Sequence, residues 1–196
     1  ILYKDGRLVF DGEGAMFDFP GYGTVPWREF RKSVKTVSVA KDITTIGNYA
    51  FHSLPATEIE FAADSKLESI GIYAFEYTSF DTIQLPEHVT RISAIAFGYM
   101  TGKLTISVPE SVTHISDYAF SHTQIEMVVT EGSYAHNWAI SKNIPYSFEL
   151  VILDGPVGDY FYVDGARLNA YQLVEYEGTY YFINDGHKLA KNITLY

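Results

Sequence analysis

A mainly β, right-handed solenoid is the fold class this sequence predicts, and three observations predict it. The phrase Ile-x-x-x-Ala-Phe occurs four times, at Ile46 to Phe51, Ile70 to Phe75, Ile92 to Phe97 and Ile115 to Phe120, with its phenylalanines 24, 22 and 23 residues apart. A fixed period of this length marks stacked coils of one short strand-and-turn unit. Ahead of each phrase lies a stretch alternating apolar and polar residues, Val37/Val39, Ile59/Phe61, Ile83/Leu85 and Ile106/Val108, with Met127/Val129 after the last one. Period-two alternation puts the apolar set on one buried face of a strand. Between strand and phrase sits an apolar-polar-polar-apolar return segment, Ile43–Ile46, Leu67–Ile70, Val89–Ile92 and Val112–Ile115. One such unit cannot bury these side chains alone, whereas a stack of them shares a continuous core.

The elements follow in chain order. Residues 1–33 read as an N-terminal cap: Leu2 to Phe10 forms a hairpin around Asp5-Gly6, and Gly12, Gly14, Pro26 and Trp27 complete the segment. Residues 34–130 hold the repeats, and Pro86 and Pro109 fall just after strands, where a missing amide does little harm. Residues 131–150 form a helical cap. Ser133 starts a helix running to about Lys142, with Tyr134, Ala135, Trp138 and Ala139 on one face, and Asn143-Ile144-Pro145 stops it. Residues 151–196 change character: Tyr160 to Leu168 is echoed by Tyr181 to Leu189, each around an Asp-Gly pair, which predicts a small module of tandem antiparallel hairpins.

Composition narrows the function classes. With 14 Lys and Arg against 24 Asp and Glu, the net charge of −10 repels nucleic acid. No run approaches the roughly 18 apolar residues of a membrane span. Without cysteine there is neither a disulfide nor a thiolate nucleophile. A chain beginning at Ile1 reads as a mature form or a piece of a longer protein. Six histidines occur, but none in a His-Glu-x-x-His or His-x-His arrangement, so neither a metal nor a cofactor is expected. One period places His52 over Glu76, Gly98 and Ser121, which makes no histidine ladder. Asp11-Gly12-Glu13-Gly14 lacks the spaced oxygens of a calcium loop and reads as a turn. Glu58 and Glu60 share a strand face and read as solvated rather than as an acid-base pair. Nucleophile-elbow and phosphate-loop motifs are absent, so the chain is expected to be no enzyme.

The repeat units resemble a known family. Ile-Gly-x-Tyr-Ala-Phe at Ile46 to Phe51 and Ile70 to Phe75, with Ile-x-Leu-Pro-x-x-Val-Thr-x-Ile at Ile83 to Ile92 and its variant at Ile106 to Ile115, is similar to the BspA-type leucine-rich repeats of bacterial surface proteins. Ser93 and Ile95 stand where that pattern has glycine and tyrosine, and Glu126 to Val129 departs from its proline-ended strand. The resemblance implies a secreted or surface-attached, noncatalytic bacterial protein, monomeric, that binds a protein or cell-surface ligand, with adhesion as its role. It also implies recognition on the exposed, concave face of the repeat sheet. Alternation assigns that face to Thr36, Ser38, Glu58, Glu60, Thr82, Gln84, Thr105, Ser107 and Glu126. The C-terminal hairpins are similar to aromatic repeats that bind cell-wall polymers or glucans, though they lack the Gly-Trp pair of those repeats. An alternative function is therefore glycan binding through Tyr160, Tyr162, Tyr180 and Tyr181, and a further one is targeting of a larger surface enzyme.

Overall fold

The structure is a computed structural model that describes residues 1–148 and, beyond them, the backbone of the strands between 151 and 190. It divides into two units, Ile1–Ser147 and Phe148–Tyr196. The first unit is a β-solenoid.

Two parallel ladders run along it. The longer strands are β1 (Arg7–Phe10), β3 (Thr36–Val39), β5 (Glu58–Phe61), β7 (Thr82–Gln84), β9 (Lys103–Val108) and β11 (Gln124–Val129). The return strands are β2 (Gly14–Ala15), β4 (Ile43–Ile46), β6 (Ser69–Ile70), β8 (Arg91–Ile92) and β10 (His114–Ile115), in one five-stranded sheet ordered β10-β8-β6-β4-β2. Helix α1 (Tyr134–Lys142) follows, then β12 (Tyr146–Phe148), which adjoins β11.

Burial explains the strands. Val37, Val39, Ile83, Ile106, Val108, Met127 and Val129 lie in the core, as do both ends of every return segment. Register keeps like on like: Val37 pairs with Ile59, Ile83 with Ile106, Ile46 with Ile70, and Ile92 with Ile115. Each coil turns its corner with one tight hydrogen bond, in which Ile43, Ser65, Val89 and Val112 donate their amides to the carbonyls of Ala40, Ala62, Pro86 and Pro109. The corner residue is used there as an acceptor, so proline is admitted at it.

Ala40 and Ala62 also donate to the preceding coil, to Phe10 and Val39. The long ladder is interrupted between β5 and β7, into β1-β3-β5 and β7-β9-β11-β12, while Pro109, at the same corner as Pro86, leaves β9 paired with β7. Ile59 and Phe61 on β5, beside that break, are only half-buried.

The core's central feature is a column of rings. Phe51, Phe75 and Phe97 are wholly buried and Phe120 is 8% exposed, with centroids 5.2, 5.1 and 5.5 Å apart and planes within 24° of parallel. Their alanine partners, Ala50, Ala74, Ala96 and Ala119, are also fully buried. A larger side chain at those positions has no room.

At the N-terminal end, Leu2 pairs with Leu8 in an antiparallel bridge and Gly6 takes a left-handed φ of 96°, so the expected hairpin is present in short form. Residues 7–10 do more than complete it. They lie parallel on β3, Leu8 opposite Val37, and with β2 they build a coil that the repeat phrase does not announce. Trp27 joins this coil to the next by donating its indole N–H to the Ala50 carbonyl, 3.1 Å away, while packing edge-on against Phe10. At the other end Ser133 caps α1 by accepting from the His136 amide, and Asn143 closes it in the left-handed region. Ala135, Trp138 and Ala139 are buried, with Trp138 5.9 Å from Phe120. Tyr134 is 41% exposed, not buried with them as expected; its hydroxyl reaches the Ile115 amide at the rim.

In the second unit, β13 (Val151–Ile152), β14 (Gly155–Val157), β15 (Tyr160–Val163), β16 (Ala166–Arg167), β17 (Gln172–Tyr176), β18 (Thr179–Asn184) and β19 (Lys188–Ala190) form two small sheets, β13-β17-β18-β19 and β14-β15-β16. Sequential neighbours pair antiparallel, and β13 lies parallel to β17. The Asp-Gly turns at 164–165 and 185–186 lie outside the described residues.

Candidate interaction surface

Alternation along the long strands turns every second side chain outward, and register lines these up. Thr36 stands beside Glu58, and Ser38 beside Glu60. Thr82, Thr105 and Glu126 form one row across β7, β9 and β11, and Gln84, Ser107 and Val128 form the next. The nine residues assigned from alternation thus share the outward face. Arg7 and Val9 extend the row by one strand, in register with Thr36 and Ser38. Sequence reasoning missed them because β1 carries no repeat phrase.

Chemically the row is polar and acidic. The Thr36 and Ser38 hydroxyls donate to the Glu58 and Glu60 carboxylates at 3.4 and 3.3 Å, and Lys103 pairs with Glu126. Between β5 and β7, where the ladder is interrupted, an open groove of about 390 Å³ is lined by Thr57, Glu58, Glu60, Asp81 and Thr82.

A second organised surface lies on the Ala-Phe turns. Two residues beyond each buried phenylalanine come Ser53, Tyr77, Tyr99 and His122, all with φ near 52–57°. Such a repeated left-handed residue sets the turn so that three amides per coil donate to the next one: Tyr49, Phe51 and Ser53 bond to Ile72, Ala74 and Glu76, and the pattern repeats along the stack. The rings then pile up outside as well. Tyr77 stacks on Tyr99 at 5.2 Å and Tyr99 on His122 at 4.6 Å. His52 meets Tyr77 edge-on at 5.6 Å and stacks under Tyr22 at 5.0 Å. Because stacked rings cover one another's faces, this column offers edges and hydroxyls to solvent.

His52 and Glu76, which one period superimposes, do meet: His52 Nε2 lies 2.9 Å from Glu76 Oε2, with both side chains about nine-tenths buried. Ser53 Oγ sits 2.8 Å from His52 Nδ1. Burial holds the imidazole below its usual range, and the charge of Arg31 pushes the same way. Burial also raises the Glu76 carboxyl. The consistent neutral-pH arrangement has Ser53 O–H donating to Nδ1 and Nε2–H donating to the carboxylate. The trio ties two coils together in place of the ring that the other coils place there.

His122 is exposed, as expected of a turn residue. Among the described residues no group of three or more His, Asp or Glu side chains is arranged to hold a metal ion. The Tyr160, Tyr162, Tyr180 and Tyr181 side chains lie outside the described residues. No described helix is long and apolar enough to cross a membrane.

These repeats have a known counterpart. The model of the BspA type leucine-rich repeat region matches residues 29–142 in six copies. This chain belongs to the BspA-type leucine-rich repeat family. Among solved structures it is similar to a leucine-rich repeat protein from Eubacterium ventriosum, 27% identical, with a TM-score of 0.52. That likeness covers 66% of this chain and 41% of the other, so the chain spans less than half of that protein's length. No curated protein matches the chain. The BspA-type match ends where α1 ends, so the family's repeat region takes in the helix that packs on Phe120 as well as the coils.

Proposed function

We propose that this BspA-type chain is a noncatalytic adhesion or recognition protein, secreted or held at a bacterial cell surface, and that it binds a protein through the outward face of its long ladder. One observation carries the reading: register aligns Thr36, Ser38, Glu58 and Glu60 on the outward side of β3 and β5, and Thr82, Gln84, Thr105, Ser107 and Glu126 on that of β7, β9 and β11. A rigid, repeated backbone holds these groups with little entropy left to lose on binding. In the same reading residues 1–33 and α1 close the two ends of a monomeric stack, and the domain boundaries near 33, 130 and 150 separate closing segments from repeats. The BspA-type family is a surface-associated, protein-interacting one, which supports the location and the partner class.

The test compares two triple variants of the full chain for binding to an array of purified extracellular proteins. Glu58→Lys, Glu60→Lys and Gln84→Lys together invert the face, and Tyr77→Ser, Tyr99→Ser and His122→Ser alter the turns. Binding by the unmodified chain that falls at least tenfold in the first variant and stays in the second supports the sheet face. The reverse pattern rejects it.

A further inference from the structure

Charge is distributed unevenly along this acidic chain. Residues 28–35 carry Arg28, Arg31, Lys32 and Lys35 against the single acid Glu29, within a protein of net charge −10. Three of those cations converge. Arg28, Arg31 and Lys32 line an open groove of about 480 Å³, whose remaining walls include Gly23, Val25 and Glu29.

The local backbone forces this convergence. Arg28–Ser33 is a 3-10 helix, in which residues three apart eclipse one another, so Arg28 and Arg31 stand one above the other on one face, and Lys32 stands over Glu29 on the adjoining one. Like charges so placed repel. None of the three has an acidic partner among the described residues, where Lys66, Lys103, Lys142 and Arg7 are the paired Lys and Arg side chains. Arg31 is also half-buried. The field of Arg31 reaches His52 on the neighbouring turn face.

We propose that this groove is an oxyanion-binding site, taking a phosphate- or sulfate-ester group between the planar forks of Arg28 and Arg31 with Lys32 as a third cation. Guanidinium forks match the paired oxygens of such groups, and a lysine adds charge without demanding geometry. The groove is open at the surface, so it suits a group presented on a larger molecule. The acidic coils beyond it exclude a long duplex polyanion, which would have to lie along them.

The test is calorimetric titration at physiological salt with sodium pyrophosphate and, separately, with a fully sulfated heparin disaccharide. The full chain is compared with the Arg28→Gln/Arg31→Gln double variant, with Lys32→Gln, and with Lys103→Gln as a control on the sheet. Binding of either anion that weakens at least tenfold in the double variant, less in Lys32→Gln and not in the control, supports the site. Which anion binds identifies the ester. The His52 ring proton supplies a second readout by NMR: its titration midpoint rises when the bound anion offsets Arg31, and rises without ligand in Arg31→Gln. If the double variant melts early, Lys32→Gln and the His52 shift decide. Failure of both anions to bind, equal binding by the variants, or an unmoved His52 midpoint on saturation overturns the proposal.

Discussion

Two aromatic columns rise along the same turns, one or two residues apart in sequence, and they obey different rules. The inner one repeats a single residue, Phe51, Phe75, Phe97 and Phe120, at near-constant spacing. The outer one mixes residue types, from His52 through Tyr77 and Tyr99 to His122, yet keeps a flat ring on every coil. The inner column sits in a closed cavity, where a missing ring leaves a void held open from above and below. The outer column needs only something flat to cover the next ring, since water fills the rest. Burial enforces identity, and exposure enforces shape alone.

That contrast is open to direct test. The largest effect is expected for Phe97→Ala, which should lose about 3–5 kcal/mol, because its ring is stacked on both sides and wholly buried. Denaturant melts check it, and a loss no larger than ordinary surface scatter would remove the inner column as the stack's main support. Gly47→Ala comes next, at about 1–3 kcal/mol. An added Cβ there would clash with the Phe17 carbonyl oxygen, a backbone atom that cannot rotate away. Tyr99→Ala, between two stacked rings on the outside, should lose only about 0.5–1.5 kcal/mol by the same melts. A loss as large as that of Phe97→Ala would erase the distinction between the columns.

The smallest effect concerns pH. His52 has a lowered folded-state pKa, so its contribution is present above its usual 6.5 and is lost as pH falls from there through the folded value. Glu76 has a raised one and acts in reverse: the folded state gains stability as pH falls through that raised value toward the usual 4.5. The two partly offset each other. The melting temperature is therefore expected to dip modestly below pH 6.5, and His52→Gln, which keeps a hydrogen-bonding side chain, is expected to flatten the dip. Scans of both proteins at several pH values check this, and identical profiles would contradict it.

How far the site was legible follows from the same physics. The outward row could be assigned by counting every second residue, since strand geometry leaves no freedom once the inward set is known. Arg7 and Val9 escaped because β1 is recruited by β3 rather than by a motif of its own. The outer rings escaped because the position two beyond each phenylalanine holds Ser53, Tyr77, Tyr99 and His122, so no single residue marks it along the whole stack. His52 and Glu76 were superimposed by the period, but only coordinates show their atoms in contact.

The sequence by itself determined the coil: its period, its inward residues, its helix start at Ser133 and its outward polar row, all of which are local consequences of alternation, capping and burial. Tertiary structure decided what depends on distance between coils. It split the long ladder between β5 and β7, left Ile59 and Phe61 half-covered, and aligned three cations beside one groove at the N-terminal turn. Those outcomes hinge on a few tenths of a nanometre in how neighbouring coils settle, which a one-dimensional pattern of apolar and polar residues does not encode.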